Sequence, residues 1–249
     1  MATRRQISER RLKRAFSLAE DRLRLKGEEN RAVAKTATDE TQRRIIWEDA
    51  VRLVIVRALR DTFPSFTVKM EVGNRKKIDI CVLNKGNVVV AIECKGMVSD
   101  SHTKSPPVSA TSVGGINRKL NEAVQADIDE IDEKLKGIGA VSPHYEIFIP
   151  IVYELYRQGG EDEWHVQKRP WTTHPGYKNV MKSLKHELEQ WFEQRDKQFK
   201  LIHGTDDPIE LWDADRLWSK TRRLGAKYRK YKSLEAYVSF FAFGRYVEK

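Results

Sequence analysis

The residues with chemical potential lie in KKIDICVLNKGNVVVAIECKGM, residues 76–97. Asp79, Glu93 and Lys95 interrupt two apolar runs that are joined by Asn84-Lys85-Gly86-Asn87, a good hairpin turn. In an extended chain Glu93 and Lys95 share one face, and Ile92 and Cys94 share the other. Residues 79 and 93 are nearly equidistant from the turn centre, so antiparallel pairing puts Asp79 next to Glu93. Two adjacent carboxylates repel unless a cation joins them. A hard divalent ion is the natural choice, because it prefers oxygen ligands. Magnesium keeps several waters, and one of these becomes a nucleophile of lowered pKa. The backbone carbonyl of Cys94 is a further candidate ligand. Lys95 is placed to orient the attacking hydroxide and to offset charge on a phosphate. The plain alternative is a solvent-facing hairpin. Against it, Glu93 follows VVVAI, a run too apolar for a half-exposed edge strand, and charge at the end of a buried strand is costly unless it binds something.

Other segments must position this hairpin. Residues 7–35 are highly charged and helix-friendly, with Leu12, Phe16, Ala19 and Leu23 as a thin apolar stripe, so the spacing predicts a helix packed loosely or against a partner. A strongly amphipathic helix follows over roughly 41–61, ending before Pro64. Three strand-like runs come next, FTVKMEV, KIDICVL and VVVAIEC. Residues 98–115 read as a long polar loop of the kind that is usually either functional or disordered. Ile116, Leu120, Val124, Ile128, Ile131 and Leu135 mark a helix closed by Gly137. YEIFIPIV, residues 145–152, is a buried-strand type, and helices are expected over 178–199 and 208–224. The tail EAYVSFFAFGRYV is compatible with either strand or helix. This order predicts an α/β fold with a mixed sheet flanked by helices on both faces.

IDI followed by AIECKG resembles the core of the PD-(D/E)xK nuclease superfamily, the restriction-endonuclease-like fold. That core is a helix, a three-strand meander, a helix and a strand, which fits residues 41–152. The resemblance implies that Asp79 and Glu93 ligate a metal and that Lys95 acts on the water. The family's proline before the aspartate is replaced by Ile78. Many members carry a glutamate on the first helix near the metal, and Glu48 fits, with Asp49 as competitor. The helix after the third strand often contributes a polar residue. Asn117, Lys119, Asn121 and Gln125 are candidates there, with Gln125 preferred. The division implied is a charged helical arm over 1–40, a nuclease core over 41–152 and a mainly helical part over 153–249, packed on the core and contacting DNA.

Lysine and arginine exceed the acids by ten, and the pI is near 9.5, which favours a polyanionic partner. In RLWSKTRRLGAKYRKYK, residues 216–232, Arg222, Arg223, Lys227, Arg229 and Lys230 alternate with aromatics suited to phosphates and bases. Lys104, Arg118 and Lys119 are further candidates for DNA contact. The six histidines are scattered, and Gly114-Gly115 lacks the lysine and hydroxyl of a phosphate loop. No apolar run is long enough to span a membrane and the N-terminus lacks a signal-peptide core, so an intracellular, cytoplasmic protein is expected. Two cysteines, Cys81 and Cys94, exclude a four-cysteine zinc site and argue against a disulfide framework. The resemblance and the chain length imply a type II restriction endonuclease acting on double-stranded DNA. It would use Mg2+, with Mn2+ as a substitute, act as a homodimer, and leave a 5′-phosphate and a 3′-hydroxyl. A repair, recombination or phage nuclease of the same fold is the alternative. A non-catalytic nucleic-acid-binding protein is the second.

Overall fold

A computed structural model of the chain describes residues 7–36, 48–73, 77–98, 131, 133–138, 144–158, 185–186, 188–194, 198–207, 209–213 and 233–248. Within them the chain is an α/β protein. The elements are α1 (Glu9–Thr36), α2 (Glu48–Thr62), β1 (Thr67–Val72), β2 (Ile78–Asn84), β3 (Asn87–Val98), β4 (His144–Gln158), β5 (Lys200–Gly204), β6 (Ile209–Asp213) and β7 (Ser233–Val247). The strands form one seven-stranded mixed sheet in the order β1-β2-β3-β4-β7-β5, with β6 also paired to β7. β1, β2 and β3 are an antiparallel meander, and β4 joins β3 in parallel. The connection between β3 and β4 contains helical residues at 131 and 133–137.

One face of the sheet carries α1 and α2. Their core meets Ile80, Val82, Val90, Ile92 and Cys94 from the hairpin and Tyr145, Ile147, Ile149 and Ile151 from β4. The opposite face pairs Cys81 and Ala91 with Ile131 and Leu135, and sets Phe148 and Phe243 against Phe192. β4 and β7 lie inside the sheet and are covered on both faces, which is why both read as nearly continuous apolar runs.

Two expectations about the flanking parts are corrected. First, α1 is no loosely packed arm: Leu12, Ala15, Phe16, Ala19 and Leu23 are fully buried. The stripe is thin because two of its five positions are alanine, and alanine lets a helix approach closely. Glu20 on α1 also accepts from His203 of β5 at 3.0 Å and from Arg24 at 2.5 Å. Burial pushes the Glu20 carboxyl upward, but those two partners outweigh it and hold it below the usual range. Phe16→Ala is therefore expected to lower stability by about 3–5 kcal/mol, read from urea denaturation; a detached arm would give no change.

Second, the described C-terminal part is mainly strand. Residues 209–213, expected to be helical, form β6 on β7, and the ambiguous tail is β7 itself. Long-range pairing with β4 decides the tail, because thirteen residue pairs run from His144↔Val247 to Gln158↔Ser233. Helical residues do occur at 185–186 and 188–193, within the helix expected over 178–199. Among the described residues no helix is long and apolar enough to cross a membrane, and both cysteines are buried and outside any disulfide.

Candidate active site

The β2–β3 hairpin sets the geometry. Its two-residue loop, Lys85-Gly86, has positive φ at both positions, 49° and 88°, as a type I′ turn requires. The turn pairs Asn84 with Asn87 and Leu83 with Val88. Continued unchanged, that register would set Asp79 opposite Ile92, on the face away from Glu93. A register shift between Val82 and Leu83 moves the pairing by one residue, so that Val82 faces Val90 and Ile80 faces Ile92. The extra residue, Val89, is a β-bulge in β3. A one-residue slip exchanges the two faces of a strand, and here it places Asp79 across from Glu93.

Beyond Ile80↔Ile92 the backbone ladder between the two strands stops. In its place the Cys94 N–H donates to Asp79 Oδ2 at 2.8 Å. In an extended strand the N–H and C=O of one residue point to the same edge, so the Cys94 carbonyl is directed to the same side. Asp79 is clamped from the other direction by Arg52 of α2, whose Nη2 lies 3.1 Å from Oδ1. β1 is also distorted here. Glu71 lies between Met70↔Ile80 and Val72↔Ile78, and so falls opposite Asp79, with φ at 50° in the left-handed region. Its exposed carboxylate pairs with Lys77 at 2.9 Å.

Glu93 is only 3% exposed. Its Oε1 accepts from Lys134 Nζ at 3.1 Å. Burial first, and the charge of Asp79 second, push the Glu93 carboxyl up to about 8; Lys134 offsets only part of this. Without a further cation, burial and the neighbouring Asp79 thus favour the neutral form of Glu93. The same burial, with the nearby Glu93, drives the Cys81 thiol up to about 12, so it has no role as a nucleophile. Lys95, half-buried, follows Glu93 by two residues on the same face of β3 and stands opposite Pro150 of β4.

The structure thus gathers Asp79, Glu93 and the Cys94 backbone at the open end of the hairpin, with Lys95 on the same strand. Glu48 opens α2, one helical turn before Arg52. Gln125, Lys104, Arg118, Lys119, Arg222, Arg223, Lys227, Arg229 and Lys230 lie outside the described residues, as do Asn117 and Asn121. Sequence reasoning missed Arg52 and Lys134. Each carried a signal: Arg52 is spaced four residues from Glu48, and Lys134 sits between Ile131 and Leu135 on the apolar side of its helix.

The donor set suits a hard divalent cation. Two neighbouring carboxyl groups, one of them held well above the usual carboxylate range by burial and by the other's charge, form a pocket that a further positive charge would ionise. Among the described residues no group of three or more His, Cys, Asp or Glu side chains is spaced to hold a metal. Magnesium needs no such group, since one or two carboxylates plus waters and substrate oxygens suffice. Comparisons with family models, with curated proteins and with solved structures gave no match to this chain.

Proposed function

We propose that this chain is a magnesium-dependent endonuclease of double-stranded DNA, built on the restriction-endonuclease-like core that its sequence resembles. The observation carrying this reading is the placement of Asp79 across from Glu93 at the open end of the hairpin. The order of elements supports it: helix α2, an antiparallel meander, helical residues, then a strand parallel to the third. The finer reading is a type II restriction endonuclease working as a homodimer, with manganese able to replace magnesium.

In this reading Asp79, Glu93 and the Cys94 carbonyl hold the ion. When bound, it supplies Lewis acidity and a water of lowered pKa. Arg52 and the Cys94 N–H fix the rotamer of Asp79. The cluster beneath Ala91 and Cys81 keeps Glu93 in a dry setting, where each charge acts strongly. Lys95 donates to a non-bridging phosphate oxygen and orients the water that attacks phosphorus. The attacking water forms a bond to phosphorus and gives up a proton to solvent, the bond from phosphorus to O3′ breaks, the departing oxygen takes a proton from solvent, and the ends are a 5′-phosphate and a 3′-hydroxyl. Incubation with supercoiled plasmid and Mg2+ or Mn2+ is the test. Discrete linear fragments are expected; an intact plasmid that is nevertheless bound would overturn the reading.

A second reading has its own support. Asp79 and Glu93 each already have a protein cation, Arg52 and Lys134. That arrangement suits a non-catalytic nucleic-acid-binding protein whose metal site has been replaced by ion pairs. Metal binding separates the two readings.

A further inference from the structure

We propose that the groove between α1 and α2 binds the phosphodiester backbone of a nucleic-acid strand. This rests on the nuclease reading for its choice of polyanion, but binding can be measured without cleavage. The groove has a volume of about 490 Å³ and draws cations from both helices: Arg22 and Lys26 from α1, Arg57 and Arg60 from α2. Among the described residues its one acid is Asp61, which is held by Arg22. Arg60 is steadied by donating to the Val68 carbonyl at 3.2 Å, which uses one of its five N–H groups. Lys26 and Arg57 are exposed. Three cations without an acid in the lining therefore face one concave surface, where like charges are unfavourable unless a polyanion lies between them.

The groove runs along α2. Arg22 meets Asp61 at the C-terminal end of α2, and the lining extends back to Val54, ~10 Å along the helix at 1.5 Å per residue. Among the described residues no aromatic side chain lines it, so it reads charge along a backbone rather than stacking bases. Leu25, 59% exposed on the groove wall, covers sugar carbons in such a complex.

The test uses the full chain and a fluorescent 30-base-pair duplex, titrated without divalent ions at several salt concentrations. The double variant Lys26→Gln/Arg57→Gln changes only exposed side chains, so folding is retained, and circular dichroism checks it. Affinity is expected to fall about tenfold at low salt. The slope of log K against log salt should become shallower by about two, one per phosphate contact removed. Unchanged affinity and slope would overturn the proposal, as would loss of poly-glutamate binding with DNA binding intact, which would mark a groove for acidic peptides. A variant that binds normally and still cuts plasmid sinks the groove and leaves the nuclease; a wild type that binds through the groove and never cuts does the reverse.

Discussion

Lys95→Ala is expected to lower the rate of plasmid cleavage about 10³-fold, with DNA affinity and thermal stability nearly unchanged. The size follows from the position. Lys95 lies at the mouth of the hairpin, on the face of Glu93, and removing a single charged donor that stabilises a transition state costs on the order of 10²–10³ in rate. Its half-buried side chain contributes little to the core, so the fold has little to lose. Single-turnover cleavage at saturating DNA isolates the chemical step. Lys95→Arg keeps the charge but changes the shape of the donor, and partial recovery is expected. A loss of DNA binding equal to the loss of rate would instead assign Lys95 to binding alone.

The second large effect concerns pH. The Glu93 carboxyl is pushed up to about 8 from an ordinary 4.5. A group whose value is higher in the folded than in the unfolded chain contributes stability that is fully present below about 4.5 and is lost as pH rises through about 8. Between these limits the metal-free protein should lose up to about 1.4 kcal/mol of stability per pH unit from this residue. Glu93→Gln removes the ionisation while keeping the shape, so the difference between variant and wild type across pH 5–9 isolates Glu93 from every other titrating group. Added Mg2+ is expected to reverse the trend, because a carboxylate must shed its proton to bind the ion. The gain in Tm on adding Mg2+ should therefore be larger at pH 8 than at pH 6. Parallel stability curves for wild type and Glu93→Gln would contradict this.

Much of the candidate site was legible in residues 76–97 because the signals that bring Asp79 and Glu93 together are local. The turn residues, the alternation of the strands and the apolar run before Glu93 all belong to one hairpin. The bulge was not legible. Equidistance from the turn brings Asp79 near Glu93, but only the extra residue at Val89 puts both on one face, and no feature of VVVAI distinguishes a bulged valine from a regular one. Arg52 and Lys134 were hidden for a different reason: their partners lie 27 and 41 residues away in sequence, and tertiary packing alone joins them. The same holds for β6. IELWD is short and ambiguous, and its pairing with β7 across more than twenty residues decides its conformation. α1 shows how a thin stripe misleads, since Ala15, left out of it, buries as completely as the leucines within it.

The central claim is that Asp79 and Glu93 together hold a divalent ion. Titration of Mn2+ into the full chain without DNA, followed by its electron paramagnetic resonance signal, tests this most directly. The account predicts saturable binding that is lost in Asp79→Asn and in Glu93→Gln and retained in Lys95→Ala. An absence of binding by the wild type, or binding unchanged in both carboxylate variants, would contradict it and leave the two ion pairs, Arg52 with Asp79 and Lys134 with Glu93, as the final occupants of the site.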